Sequence, residues 1–190
     1  MSEVTPIGDV QRTAVSGAYT VTSRPFRDHR GQFARLFDQD LLRSIHAVRP
    51  IIQVNHSLTR QVGALRGLHF QSTPNVEAKW VRCLKGRVFD VAVDLRRGSS
   101  TFLRHAALEL SPEAANMFFI PEGCAHGFQV IEPDSELLYL HTAPYSREAE
   151  GGVRWDDPLL GIDWPLNPTD ISERDRTHPL LTDEFKGLTV

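Results

Sequence analysis

The residues best suited to chemistry lie in the run Arg66-Gly67-Leu68-His69-Phe70, with Lys79 ten residues after the histidine. Together they offer a guanidinium, a titratable imidazole and an amine. Arg66 and His69 are three residues apart, so in a regular strand, where side chains alternate, they would point to opposite faces. Gly67 changes this expectation, because a glycine inside a strand often marks a bulge that re-aims a neighbouring side chain. The local pattern fits an active site, and it fits equally well a strand whose surface carries a histidine and basic residues with no role in catalysis.

Residues elsewhere in the chain could complete an acid–base site. A histidine that acts as a general base needs an orienting partner, a group that stabilises charge, and an acid. Lys79 could stabilise a developing enolate oxygen, Tyr139 and Tyr145 offer phenols, and Asp175 could orient His69. Each also has a simpler interpretation. A tyrosine is more often a packed residue with a satisfied hydroxyl, and Asp175 could be a solvated carboxylate.

The segment Pro121-x-Gly123-x-x-His126 resembles the second signature of the cupin barrel, in which a turn presents a histidine to the barrel mouth. In metal-binding cupins this histidine joins a His-x-His pair and a glutamate from an earlier strand. Here the earlier strand has only His69, followed eight residues later by Glu77. These residues make a poor cage for zinc or iron. We therefore expect no metal and no cofactor at this site.

Composition narrows the class of protein. The chain has 190 residues, of which 41% are hydrophobic and 24% charged, as is usual for one globular domain. A net charge of -3 gives no basic field for nucleic acid, and no apolar run approaches the roughly 20 residues of a membrane span. No signal peptide is visible, and Cys83 and Cys124 form no Cys-x-x-Cys pair. A reduced, cytoplasmic setting is the simplest expectation.

Strand signals dominate between residues 20 and 145, separated by turn residues, and this pattern predicts an all-β jelly roll of the cupin type. We expect a single domain with an N-terminal arm over residues 1–50, a barrel over 51–145 and an irregular C-terminal tail over 146–190. Helical pattern is scarce. Asp38 to His46 could form a short helix, and Ser111 could cap one further turn. The predicted strands cover Val88–Leu95, Phe102–Leu110, Met117–Ile120, Gly127–Ile131 and Leu137–His141.

Several ordered blocks between about Arg30 and Asp175 together resemble the dTDP-4-dehydrorhamnose 3,5-epimerase family. They extend over nearly the whole chain in order, which is far more specific than one cupin turn. The blocks are RGLHF at 66–70, the KWVRCLKGRVFDVAVD segment at 79–94, IPEGCAHGF at 120–128, LY at 138–139, GVRWDDP at 152–158 and GIDWP at 161–165.

This resemblance implies a metal-free cupin homodimer that epimerises a nucleotide-linked 4-keto-6-deoxyhexose. The carbonyl at carbon 4 acidifies the protons on carbons 3 and 5, so a modest base can remove them once the enolate is stabilised. By position in the family pattern, His69 is the base and Asp175 its dyad partner. Lys79 holds the enolate oxygen, and Tyr139 returns a proton from the opposite face.

The resemblance also implies a set of substrate contacts. Arg66 and His126 meet the diphosphate and sugar, and a bidentate guanidinium suits phosphate oxygens. An N-terminal segment with Arg30 and Phe33 reaches the nucleotide of the partner subunit. The remaining implied contacts are Gln53, Asn55, Tyr145, Glu150 and Arg174.

The chain departs from the family pattern at three positions. Members that use thymidine often carry a glutamate that helps to read the base, and this chain has Arg35 at that position. We therefore include Arg35 among the implied substrate contacts, and the identity of the nucleotide stays open. Pro144 before Tyr145 could shift a tyrosine that influences whether one or both carbons react. Cys124 replaces a frequent phenylalanine, which we interpret as a packing change.

The leading interpretation is epimerisation at C3 and/or C5, with conversion of dTDP-4-dehydro-6-deoxyglucose to dTDP-4-dehydrorhamnose foremost. One alternative is a 3- or 5-monoepimerase that uses a different nucleotide-sugar. Another is a catalytically inactive cupin that binds sugar nucleotides, although such a binder would need only the cationic contacts. A ketoisomerase on a related barrel would use the same enolate chemistry.

Overall fold

The computed structural model describes residues 8–38, 40, 45 and 49–190. Thirteen strands and one short helix are defined within these residues. The strands are β1 (Gly8–Arg12), β2 (Tyr19–Ser23), β3 (Phe26–Asp28), β4 (Gly31–Phe33), β5 (Gln53–Thr59), β6 (Leu65–Gln71), β7 (Lys79–Lys85), β8 (Val88–Asp94), β9 (His105–Leu110), β10 (Asn116–Ile120), β11 (Cys124–Val130), β12 (Ser135–His141) and β13 (Glu150–Gly152). Helix α1 covers Glu173–Thr177.

The strands form two large antiparallel sheets and one small hairpin. The six-stranded sheet has the order β1-β2-β10-β7-β12-β5, and the five-stranded sheet has the order β13-β6-β11-β8-β9. A buried apolar cluster draws residues from both sheets, including Val81 and Phe118 from the first and Ala92 and Phe128 from the second. The sheets therefore enclose a common core. The prediction of an all-β, cupin-type jelly roll is confirmed.

The outer faces of both sheets are also covered. Trp80, Met117 and Phe119 belong to a second apolar cluster on the six-stranded sheet. A third cluster joins residues of β6, β8 and β11 to Val153 and Leu160 in the tail. Because both faces of β7 and β8 are buried, these strands have near-continuous apolar sequences. As expected, the tail packs onto the barrel.

Some local predictions need correction. Strand β11 begins at Cys124 and not at Gly127, so His126 lies within a strand and not in the turn before it. The tail, expected to be irregular, contains α1, whose N-cap is Ser172. The prediction for Ser111 is confirmed, because its side chain caps a single turn by accepting a hydrogen bond from the Ala114 amide.

The helix expected over Asp38 to His46 lies mostly outside the described residues. The division of the chain at residues 50 and 145 stays a prediction. In the part of the chain that the structure describes, no helix has the length and apolar character needed to cross a membrane.

Candidate active site

A bulge in β6 brings the arginine and the histidine of the RGLHF run to one cavity. Arg66 pairs with Phe128 of β11, and His69 pairs with His126, so β6 contains one residue more than its partner between these pairs. Gly67 has a φ of +121°, and a Cβ atom at this position would lie 2.5 Å from the Cα of Gly127. Only glycine fits there, because the conformation and the close approach both exclude a side chain.

The cavity has a volume of about 570 Å³ and opens between the two sheets. Eight of the fourteen residues predicted for the site line it. The predicted residues in its wall are Asn55, Arg66, His69, Lys79, His126, Tyr139, Tyr145 and Glu150.

Six predicted residues lie outside the cavity wall: Asp175, which lies behind His69, and Gln53, Arg30, Phe33, Arg35 and Arg174. The side chain of Arg66 makes no hydrogen bond or ion pair with the residues that the structure describes, so its guanidinium is available to a ligand.

His69 and Asp175 form a hydrogen-bonded pair at one side of the cavity. Nε2 of His69 lies 2.7 Å from Oδ1 of Asp175, and the other carboxylate oxygen accepts a hydrogen bond from the Gly67 amide. Ser172 positions this carboxylate, because its Oγ accepts a hydrogen bond from the amide of Asp175 in α1. The pairing assigns the Nε2 proton to the Asp175 contact and leaves Nδ1 as the ring nitrogen that can accept a proton.

The environment keeps Asp175 ionised. Burial by itself raises the pKa of this carboxyl, but the hydrogen bond and charge of His69 and the Gly67 amide outweigh it, so the pKa is lowered. A carboxylate that stays charged can stabilise the imidazolium formed when His69 takes a proton. The predicted dyad is therefore present as a geometric pair.

A second histidine–carboxylate pair lies on the neighbouring strands. Nε2 of His126 is 3.0 Å from both carboxylate oxygens of Asp90 on β8. Both side chains are almost completely inaccessible to solvent, and burial raises the pKa of Asp90 despite the opposing charge of His126. This pair orients His126 towards the cavity floor.

A third network surrounds Lys79. Its Nζ lies 3.2 Å from Oε1 of Glu77, whose other oxygen is 2.7 Å from Nδ1 of His141. Nε2 of His141 in turn lies 3.2 Å from the Asn55 amide nitrogen. Burial opposes ionisation of Glu77, but the His141 hydrogen bond and the Lys79 charge outweigh it and lower its pKa. Lys79 is thus held as a buried cation in the cavity wall.

Tyr139 lies on β12 with its ring near both internal histidines. Its ring centroid is 6.0 Å from that of His126 and 6.1 Å from that of His141. The hydroxyl is 3.2 Å from Oγ of Ser57 on β5. Burial raises the pKa of Tyr139 above its ordinary value, so the phenol stays protonated at neutral pH and can serve as an acid.

The cavity rim carries a charged cluster. The Tyr145 hydroxyl donates to Oε2 of Glu150 at 3.0 Å, and Nη1 of Arg174 lies 2.7 Å from the same oxygen. The Tyr145 amide donates to the side-chain oxygen of Gln53. Nη2 of Arg174 also lies 3.1 Å from Nε2 of His69. The rim therefore contains four of the predicted contacts, and Arg174 is the one that lies against the base. Because Nε2 of His69 carries its proton towards Asp175, and a guanidinium only donates, this Arg174 contact is not a hydrogen bond.

Three predicted contacts lie away from this cavity in the single chain. Arg30 is paired with Asp28 in the β3–β4 turn, and Phe33 on the same hairpin is 74% exposed. Arg35 forms an exposed ion pair with Asp38, with the charged atoms 2.8 Å apart.

Sequence reasoning missed several residues of the site. The sequence pattern assigns Asp90 and His141 only to strands, and it offers Glu77 only as a metal ligand. No motif points to a role for Ser57 or His178. The signal available for Asp90 was a carboxylate within the apolar strand FDVAVD, since a buried acid requires a partner.

Comparisons with known proteins agree with this geometry. A family model described as dTDP-4-dehydrorhamnose 3,5-epimerase matches residues 12–183. The curated dTDP-4-dehydrorhamnose 3,5-epimerase of Sinorhizobium fredii is 41% identical over 172 residues, which cover 90% of this chain and 88% of the relative.

Solved structures give the same result. The 3,5-epimerase of Legionella pneumophila, in complex with dTDP-4-keto-L-rhamnose, is 34% identical with a TM-score of 0.89, covering 96% of this chain and 98% of that one. A 3'-monoepimerase from Streptomyces bikiniensis is 32% identical with a TM-score of 0.81, covering 87% and 84%. The matches extend over most of both sequence and fold, and we conclude that this chain belongs to the dTDP-4-dehydrorhamnose 3,5-epimerase family.

Proposed function

We propose that this protein inverts carbons 3 and 5 of dTDP-4-dehydro-6-deoxyglucose and so forms dTDP-4-dehydrorhamnose. The observation that carries the proposal is one cavity lined by His69, Lys79 and Tyr139, with Asp175 hydrogen-bonded behind the histidine. Base, charge stabiliser and acid are thus brought together. The family relationship supports the same reaction and the same nucleotide.

Each inversion follows from the acidity of a carbon next to a carbonyl. Nδ1 of His69 takes the proton, and the electron pair of the broken C–H bond forms an enolate whose oxygen is the former carbonyl at carbon 4. The Lys79 ammonium stabilises this oxygen, and the Asp175 carboxylate stabilises the imidazolium. Tyr139 then donates its proton to the opposite face of the carbon. Exchange with solvent restores the protonation of both side chains.

The nucleotide-sugar is held by groups around the cavity mouth. The unpaired Arg66 guanidinium suits a diphosphate, because it can donate two parallel hydrogen bonds. His126, fixed by Asp90, contacts the sugar and diphosphate from the floor. At the rim, Tyr145, Glu150 and Arg174 lie next to the sugar and nucleotide, and Gln53 and Asn55 complete the substrate contacts from β5.

The test is solvent deuterium incorporation, followed by NMR during turnover in D2O. We expect deuterium at both carbons in the wild-type product. Tyr139→Phe should lower formation of the inverted product at least about a hundredfold, since the acid is lost. His69 remains, so deuterium should still enter the substrate without inversion. Tyr19→Phe, which changes a tyrosine in the second apolar cluster, is the matched control. Normal inversion by Tyr139→Phe would contradict the assignment.

A 3-monoepimerase is a second candidate, supported by the similar structure from Streptomyces bikiniensis and by Pro144 next to Tyr145. Tyr145 is 57% exposed and is held by Glu150 at the rim. The same NMR experiment separates the two candidates, because a monoepimerase inverts and labels one carbon and leaves the other in its original configuration.

We also propose a homodimer in which the β3–β4 hairpin reaches the partner's nucleotide. The hairpin exposes Phe26 and Phe33 to solvent in the single chain, and such exposed aromatic residues favour an interface. The test is complementation between inactive His69→Asn chains and impaired Phe33→Ala chains. Random mixing should restore about a quarter of wild-type sites, because one site of each mixed dimer is intact. No restoration in mixed dimers would contradict arm exchange.

A further inference from the structure

A third side chain, His178, lies beside the His69–Asp175 pair and has no role in the proposed reaction. Its Nε2 is buried and has no hydrogen-bond partner in the part of the chain that is described. This nitrogen lies 3.9 Å from Oδ1 of Asp175, and the His178 ring centroid is 6.1 Å from that of His69. A buried polar atom without a partner is costly, so its position calls for a ligand or a function.

The backbone makes room for this histidine. Gly152 on β13 lies against the ring, and a Cβ atom at that position would be only 2.2 Å from Nε2 of His178. Any larger residue there would displace the imidazole. Together with α1, which carries Asp175, this glycine places the three side chains in one group.

The three residues present a metal-binding set of donor atoms. One donor atom from each of His69, Asp175 and His178 can be chosen so that all three lie within 4.8 Å of one another. Two imidazoles and a carboxylate suit zinc, which binds such ligands at about 2.0–2.2 Å. Ligands around a tetrahedral zinc are then about 3.4 Å apart. The observed separations of 2.7 and 3.9 Å from Asp175 bracket that value.

We propose that His69, Asp175 and His178 form an inhibitory binding site for a divalent transition metal, with Zn²⁺ as the preferred ion. Zinc would bind Nε2 of His69, which must then carry its proton on Nδ1. Both ring nitrogens are then occupied, so the imidazole cannot accept a proton from substrate. The site differs from the metal cage of cupins, since it uses α1 and the segment after it and leaves Lys79 and His126 free.

Two features of the surroundings set the behaviour of this site. A second cavity of about 440 Å³ borders His69 and Asp175 and gives an approach other than the substrate cavity. Arg174 weakens metal binding, because its Nη2 lies only 3.1 Å from Nε2 of His69. Its positive charge repels a metal ion, so removal of this charge should strengthen binding.

The cysteines and the other histidines of the chain could also bind zinc, and they can be distinguished from this site. Burial raises the pKa of Cys83 to about 11 and that of Cys124 to about 12, which disfavours the thiolate form that binds zinc. His105 on β9, at the opposite edge of the five-stranded sheet, provides a matched control for the loss of one histidine.

The direct test is titration of the full-length apoprotein with Zn²⁺ by calorimetry, with no substrate present. We expect one ion per chain. His178→Ala and His178→Gln should each weaken binding about tenfold or more, whereas His105→Gln should not change it. Arg174→Gln should tighten binding. Equal affinities in wild type and both His178 variants would overturn the proposal, as would absence of a one-to-one site.

The inhibitory effect rests on the proposed function and has a separate readout. Zn²⁺ should lower kcat in the wild type, chelation should restore it, and the His178 variants should need about tenfold more zinc for the same inhibition. If calorimetry finds the site but the protein has no epimerase activity, the proposed function fails and the metal site stands. Inhibition that is equal in wild type and His178 variants would overturn the inhibitory role.

Discussion

The pairs His69–Asp175 and His126–Asp90 have the same chemistry, and their histidines lie on adjacent strands, where His69 and His126 face each other across the β6–β11 ladder. They differ in burial. The His69 side chain is 26% exposed, whereas that of His126 is 6% exposed and Asp90 is fully buried. The more accessible pair can exchange protons with a ligand, and the enclosed pair holds a side chain in place.

The two carboxyl groups show the electrostatic consequence. Burial raises the pKa of both, but at Asp175 the imidazole, the Gly67 amide and Ser172 together reverse the effect. At Asp90 burial is complete, and the interactions with His126 do not overcome it. The balance between burial and hydrogen bonding to the charged form therefore gives the two carboxyl groups pKa shifts of opposite sign.

The largest expected effect is a difference in kinetics between variants of the two histidines. His69→Asn should lower kcat about a thousandfold or more, because the general base is lost. His126→Asn should lower kcat/KM about 10- to 100-fold, mainly through KM, since a hydrogen bond to a charged ligand is lost. Steady-state kinetics with both variants measures this difference. Equal losses in kcat would show that the two histidines share the chemical step.

A smaller expected effect is that the two carboxyl groups change the stability of the fold with pH in opposite directions. The lowered pKa of Asp175 stabilises the fold above the unfolded-state pKa, and this contribution is lost as pH falls through the folded-state pKa. The raised pKa of Asp90 has the opposite sign, so its contribution is present at low pH and is lost as pH rises.

Thermal unfolding at pH 4 and pH 7 tests this difference in sign. The Tm deficit of Asp175→Asn relative to wild type should grow from pH 4 to pH 7, and that of Asp90→Asn should shrink. Wild type at each pH is the reference, and circular dichroism verifies that both variants fold. Deficits that change in the same direction would contradict the electrostatic difference between the pairs.

The strands and the acid–base residues were largely predictable from sequence. Alternation and turn residues indicated the strands from Val88 to His141, and Gly67 indicated the bulge that re-aims Arg66 and His69. The family resemblance placed Asp175 beside His69 from 106 residues away. Local pattern could not do this, because contact between distant segments depends on the packing of the whole tail.

The remaining parts of the site were decided by tertiary structure. The Glu77–His141–Asn55 network joins a loop to two strands, and no spacing within one segment predicts such contacts. The same holds for His178, which lies near Asp175 only because α1 packs against β6 and Gly152 leaves space for the ring. Sequence also offered no measure of how deeply each carboxyl would be buried.

The sequence by itself determined an all-β fold, its family and the residue types needed for proton transfer. These follow from local alternation, turn chemistry and ordered motifs. Only the tertiary structure decided that His69 remains accessible while His126 is enclosed, and that Asp175 and Asp90 have pKa shifts of opposite sign. The physical reason is that desolvation and hydrogen bonding depend on every element around a group, and residues distant in sequence supply most of them.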